Sequence, residues 1–252
     1  MKLGFRHTAF QAVCTVLALC CALAILGRGK TEMTLAEQQG VRVPVLMYHS
    51  ILKDSARQGQ YVVSPDILSA DLDALQARGY QTVTVSDLIA YVYDDVPLPE
   101  KPIMITFDDG YYNNYVYAYP LLQQRGMRAV ISVIGSQTAQ YTENGVENAY
   151  WSHLRLDRLE EMQDVFEVQN HSWNLHEYGE RRGCLRRRGE DESSYEALLR
   201  EDTEQTQKLL IEAGLPTPTC YTYPFGACWE ESERILEGMG FLCTLGCEER
   251  IN

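Results

Sequence analysis

From about Val43 the chain alternates short apolar runs with stretches whose apolar residues recur every three or four positions. Val43 to Tyr48 (VPVLMY) reads as a buried strand. Ser64, Pro65 and Asp66 mark a helix start with proline in the first turn. Ile67, Leu68, Leu72 and Leu75 continue it as an apolar stripe that ends near Gly79. Gln81 to Val85 reads as a strand, Ser86 and Asp87 cap a short helix, and Pro97 to Lys101 is a turn. Ile103 to Phe107 (IMITF) is a strong buried strand, followed by a helix from Asn113 to Arg125 that Gly126 closes. Further strands are expected at Ala129 to Ile134, Val165 to Val168, Cys220 to Tyr223 and Phe241 to Leu245. Further helices are expected at Leu154 to Met162, Ser193 to Ala213 and Glu230 to Met239. About seven strands alternating with about six helices imply βαβ units and parallel strands. The expected α/β fold is a closed or nearly closed (β/α) barrel, with functional residues at the C-terminal ends of its strands. An open doubly wound sheet is the alternative.

The first 34 residues have a different character. Lys2 and Arg6 precede an apolar stretch from about Thr8 to Leu26, interrupted only by Gln11, and Arg28 and Lys30 follow it. Its ~19 residues suffice to span a bilayer as a helix. Residues 1–34 are therefore expected to comprise a cytoplasmic tip, a membrane anchor or signal segment, and a linker. Residues 35–252 form the folded domain, held outside the cell by a single span or, alternatively, secreted.

Composition narrows the partners. The 252-residue chain carries a net charge of −13, which argues against a nucleic acid, since binding phosphates needs a basic surface. The run Arg181 to Arg188 (RRGCLRRR) departs locally from this balance. It reads either as a solvated loop or as a patch that docks an anionic cell-surface polymer. Of the eight cysteines, Cys14, Cys20 and Cys21 fall in the apolar run. Cys184, Cys220, Cys228, Cys243 and Cys247 form no C-x-x-C pair, so neither a zinc ribbon nor a disulfide-rich scaffold is indicated.

Three strand ends carry chemistry. Asp108 and Asp109 follow Phe107 directly, and adjacent carboxylates repel unless something, such as a divalent cation, neutralises them. An Asp-Gly turn would explain them equally well in isolation. His171 and His176 follow the strand that ends near Val168. On a helix they would diverge by ~140°, but on a curling loop they can converge on one ion. The third segment, Tyr221 to Gly226, offers aromatic rings for stacking on sugars, and a backbone N–H for an oxyanion. His49 and His153 read as a core histidine and a helix-flanking residue.

These segments resemble the motifs of the polysaccharide deacetylases of carbohydrate esterase family four, the NodB homology group. Thr106-Phe107-Asp108-Asp109-Gly110 is similar to the first motif, and His171-Ser172 through His176 to the second, in the spacing found in the branch acting on poly-N-acetylglucosamine. Tyr223-Pro224-Phe225-Gly226 resembles the third motif, and Val43 to Ser50 the opening strand. The resemblance implies a distorted seven-stranded (β/α) barrel. It also implies a divalent metal, zinc or alternatively cobalt or nickel, on Asp109, His171 and His176. Asp108 would be the general base and the Phe225 N–H the oxyanion donor, with Tyr223, Pro224 and Trp173 meeting the substrate. The implied reaction is removal of N-acetyl groups from an exported or cell-envelope polysaccharide, N-acetylglucosamine polymer or peptidoglycan, with release of acetate. A non-catalytic glycan-binding protein on the same fold and a deacetylase of another carbohydrate such as xylan are the alternatives. The sequence also departs from the pattern. Thr222 stands where the family often has an arginine, and no histidine follows His176 to act as the family's general acid. A C-terminally truncated barrel is therefore expected, or another route for the proton.

Overall fold

The computed structural model describes residues 40–248. The expected tip, anchor and linker over residues 1–34 lie outside the described residues. From Val43 onward the chain forms one compact unit. Among the described residues no helix is long and apolar enough to cross a membrane.

In chain order the elements are β1 (Val45–Tyr48), β2 (Ser50–Ile51), β3 (Val62–Val63), α1 (Pro65–Ala77), β4 (Gln81–Val83), α2 (Val85–Tyr93) and β5 (Pro102–Phe107). A π-helical turn (Asn114–Ala118) then runs into α3 (Tyr119–Gln123), followed by β6 (Ala129–Val133), α4 (Gly135–Asn144), α5 (Leu156–Glu161) and β7 (Phe166–Asn170). The chain continues with α6 (Glu192–Glu212), β8 (Cys220–Thr222), a 3-10 turn (Pro224–Gly226), α7 (Ser232–Glu237) and β9 (Cys243–Leu245).

Seven strands form one parallel sheet in the order β1-β5-β6-β7-β8-β9, with β4 also on β5. Met104 stands opposite both Val45 and Val83, and Thr106 opposite both Met47 and Val130. Thus β1 takes one edge of β5, while β4 and β6 share the other, β4 at its start and β6 at its end. No pairing joins β9 to β1 among the described residues. The sheet is a curled, open form of the expected barrel.

The strands obey the period of two. Ile105, Phe107, Ile131 and Val133 turn to the helical layer, where they pack with Leu68, Leu72, Leu122, Leu154 and Leu159. Met104, Val130 and Cys220 face the other side. Because β5 and β6 are buried on both faces, they read as largely apolar runs, interrupted only by Thr106 and Ser132. In α1 the Ser64 hydroxyl accepts from the Ile67 N–H at 3.1 Å, satisfying a donor of the first turn.

Two features depart from the expected elements. The helix expected over Asn113 to Arg125 opens with the π-helical turn, ahead of Pro120, which has no N–H for an α-helical bond, and Asn113 stands at the start of that turn. Its side chain accepts from the Ile51 N–H (2.9 Å) and donates to Ser50 Oγ (2.8 Å) and the Ala149 carbonyl (2.9 Å). In addition, α4 occupies residues to which the sequence pattern assigns no element, with only Gly135, Thr138 and Tyr141 buried.

Candidate metal centre and active site

Each chemical segment leaves the sheet at the C-terminal end of a strand. At the end of β5 the Asp108 N–H donates to the Tyr48 carbonyl at 2.9 Å, which continues the ladder one residue past the strand. Asp109 then takes a left-handed φ of 70° and Gly110 one of 72°. A Cβ on Gly110 would lie 2.9 Å from Val133 Cγ1, so both the φ and the close approach require glycine. The reversal turns Asp109 across the sheet end toward β7.

At β7 the His171 N–H donates to the Val133 carbonyl at 3.0 Å. Beyond it the chain is wound tightly by polar groups. Asn170 Oδ1 accepts from the Ser172 N–H at 2.8 Å, while its Nδ2 donates to the Thr203 carbonyl on α6 at 3.2 Å. The N–H groups of Gly135 and Ser136 donate to the carbonyls of Ser172 and Trp173. Asp202, on the buried face of α6, accepts from both the Trp173 and the Asn174 N–H, each at 2.8 Å. These contacts fold residues 171–176 into a loop that returns His176 to His171.

The result brings Asp109, His171 and His176 together, with one ligand atom from each lying within 4.8 Å of the others. His171 Nε2 is 3.3 Å and His176 Nε2 3.1 Å from Asp109 Oδ1. His171 Nδ1 lies 2.8 Å from the Thr222 carbonyl, which can only accept. A ring proton therefore sits on Nδ1, and Nε2 is the nitrogen turned toward the carboxylate oxygen. A cation shared by Nε2 and Oδ1, a proton or a metal ion in its place, satisfies this buried pair. Thr222, at the position where the family often has an arginine, thus orients the imidazole through its carbonyl, while its hydroxyl meets Ser132 Oγ at 2.7 Å.

The local fields agree. Burial would raise the Asp109 carboxyl, but the two imidazoles hold it well below the usual range. Burial would lower His171, but Asp109 and Asp108 keep it raised. Asp108, only 3% exposed, is raised by burial against the pull of His171 and His49, and its Oδ1 has no hydrogen-bond partner among the described residues. Non-glycine residues with positive φ gather here: Asp109, Ser172 and Phe225 are three of the four among the described residues. Such backbone persists where the surroundings over-determine it, commonly at functional sites.

Beside the cluster opens a cavity of about 240 Å³, with Asp109 and His176 at one end and Tyr111, Gln137, His153 and Asn174 in its walls. Tyr111 stacks on His153 at 4.8 Å and is pushed up to about 12 by burial and the Asp109 charge. His153 is lowered to about 4 by burial, so its imidazole is neutral near pH 7, and its Nδ1 has no hydrogen-bond partner among the described residues. His153 thus lines the cavity as well as standing just ahead of α5.

The third segment divides. The Phe225 ring lies against His176 at 4.4 Å, in a turn where its φ is 59°. Tyr223, expected to meet the sugar, is buried in a cluster with Tyr221, Tyr195 and Phe241, because β8 turns it into the α6–α7 layer. Pro224 is buried as well. Trp173, also expected to meet the substrate, packs over Gly135, where a Cβ would stand 2.7 Å from its ring and 2.3 Å from Thr206 Oγ1. None of these three lines the cavity. His49, read from the sequence as a core histidine, is half-buried beside Tyr61 and close enough to Asp108 to lower its carboxyl. Its position just past β1 follows the same strand-end rule as the other segments. Nothing in the spacing marked Tyr111 or Asp202.

A curled parallel sheet with paired carboxylates and imidazoles at its C-terminal rim is the arrangement of (β/α)-barrel enzymes. Residues 95–243 match the polysaccharide deacetylase family, and the chain belongs to that family. YxkH of Bacillus subtilis (strain 168) is 31% identical over 151 residues, 55% of this chain and 53% of that protein. The poly-beta-1,6-N-acetyl-D-glucosamine N-deacetylase of Escherichia coli (strain K12) is 28% identical over 141 residues, 53% of this chain and 21% of that protein. The chain therefore spans about half the length of one curated relative and about a fifth of the other. A solved de-N-acetylase from Aggregatibacter actinomycetemcomitans shares the fold, with a TM-score of 0.71 at 23% identity over 84% of this chain and 90% of that one.

Proposed function

We propose that the chain is a metal-dependent deacetylase that removes N-acetyl groups from an N-acetylglucosamine-containing polysaccharide of the cell envelope or one exported from the cell. The carrying observation is the convergence of Asp109, His171 and His176, with one ligand atom from each within 4.8 Å of the others. Asp109, His171 and His176 would hold a divalent ion, zinc by the preference of two imidazoles and one carboxylate, with cobalt or nickel as alternatives. When bound, the ion supplies Lewis acidity toward an acetyl carbonyl and toward water. Asp108 removes the proton as water attacks the acetyl carbon, the role its raised, unpartnered carboxyl suits. The Phe225 N–H, in its strained turn, steadies the oxyanion. His49, near Asp108, returns a proton to the nitrogen as the C–N bond breaks, which takes the place of a histidine after His176. Tyr111, Gln137 and Asn174 orient the sugar. Acetate leaves, and a free amine stays on the polymer. The apolar run from Thr8 to Leu26 supports an anchored or exported chain working outside the cell.

The test is acetate release from N-acetylglucosamine oligomers by protein stripped of metal, the same protein reloaded with zinc, and reloaded D108N. Release by the loaded parent, none after stripping, and a rate ~10²–10⁴-fold lower in D108N support the proposal. Equal rates with D108N, or release indifferent to stripping, would overturn it.

A further inference from the structure

The basic run Arg181 to Arg188 divides in the structure between anchoring and exposed residues. Arg181 is 6% exposed and acts as a staple. Its guanidinium donates to the Leu185 carbonyl at 2.7 Å and pairs closely with Glu190. Gly183, at φ 53°, sits where a Cβ would be 2.4 Å from the Pro224 carbonyl. The Cys184 N–H donates to the Ala227 carbonyl at 2.9 Å. The loop is thus clamped onto the turn that carries Phe225, at the mouth of the active site.

What this clamp holds outward is Tyr178 and Arg182, joined by an antiparallel bridge. Tyr178 is 80% exposed, and its ring meets Phe225 edge-on at 5.8 Å. Phe225 in turn touches the metal ligand His176. The Arg182 guanidinium lies 5.7 Å from the Tyr178 ring centroid. Among the described residues no carboxylate pairs with Arg182, whereas its neighbours Arg181 and Arg187 pair with Glu190 and Glu180. An exposed aromatic plate beside an arginine without an acidic partner, in a chain of net charge −13, has no folding purpose that these contacts reveal. It matches a sugar ring that carries an acid: the ring stacks on Tyr178 and the acid meets the guanidinium.

We propose that Tyr178 and Arg182 form a subsite for an anionic sugar residue next to the acetamide that reacts, so that the preferred polymer carries carboxylate groups beside N-acetylated units. This rests on the deacetylase reading and narrows its substrate class. An acid at that point forms a charge-assisted contact absent from a neutral oligomer. Arg188, exposed in the same run, changes net charge equally when substituted but does not touch Tyr178.

The experiment compares two oligosaccharide series of equal length on the zinc-loaded protein, R182Q and R188Q. One series is neutral N-acetylglucosamine, and the other alternates N-acetylglucosamine with a uronic acid. Acetate release gives kcat/KM, and calorimetric titration of the same oligomers gives binding without turnover. The expected result is a parent preference for the acidic series that weakens with salt. R182Q should cut the acidic-to-neutral ratio about tenfold, while R188Q leaves it in place. An equal ratio in parent and R182Q, by kinetics and by binding, overturns the subsite even when acetate is released. A ratio that falls equally in R188Q overturns it too, since long-range charge then suffices. If neither series releases acetate, the deacetylase reading fails, and the titrations with R182Q still decide the subsite.

Discussion

Asp202 is the residue through which the fold most directly controls the metal loop, and Asp202→Asn exposes that control. Its carboxylate accepts two backbone N–H groups, from Trp173 and Asn174, midway between the ligands His171 and His176. An asparagine offers one acceptor oxygen and, on the other side, an NH₂ that faces an N–H donor. One of the two bonds is lost, and a hydrogen bond to a charged acceptor is worth about 1.5–3 kcal/mol. If the loop must be in place to bind the ion, that loss appears as a metal affinity about 10–100-fold weaker, the range found when groups that orient metal ligands are removed. The assay is competition with a chromogenic zinc chelator, run beside thermal unfolding of the metal-free protein. The pH dependence supplies an independent sign. Burial raises Asp202 to about 6 from 3.8. A raised carboxyl binds more protons folded than unfolded between these values, so its contribution to stability falls as pH rises through the window. The metal-free parent should therefore lose up to about 3 kcal/mol relative to D202N between pH 4 and pH 7. Unchanged zinc affinity in D202N, with the same pH trend as the parent, would refute the reasoning.

Other expectations follow from the same contacts. H49Q should keep its zinc affinity but lower kcat ~10²–10⁴-fold, read from acetate release and metal titration on one preparation. G110A must hold alanine at φ 72° with its Cβ against Val133, so its urea midpoint should report a loss of about 3 kcal/mol. Leu72→Ala empties a fully buried site against the sheet and should cost about 2–5 kcal/mol by the same measurement, with metal binding intact.

The parallel strands were legible because β5 and β6 are buried throughout and largely apolar, and the helices of the outer layer because Leu68 and Leu72, or Leu199 and Leu210, keep one stripe. The helix α4 was not, since it packs through Gly135 and Thr138, small and polar residues that leave no apolar period. The ligands Asp109, His171 and His176 stood out by residue type and strand-end position, and the structure brings them together. Trp173 and Tyr223 are aromatic residues in motif segments that the backbone turns into packing. Only three-dimensional turning decides that, since neighbours one residue apart on a strand face opposite ways. Asp202 was hidden for the opposite reason. A charged residue on a long helix reads as solvent-facing, and here it lies 6% exposed under a loop about thirty residues earlier in the chain.

The measurement that tests the account most directly is titration of metal-free protein with Co²⁺, followed by visible absorption, for the parent, D109A, H171A and D108N. The account predicts about one ion per chain in a low-symmetry site for the parent, the same spectrum at similar affinity for D108N, and loss of the bands in D109A and H171A. Bands that persist unchanged in both D109A and H171A, or a parent that takes up no ion, would contradict it.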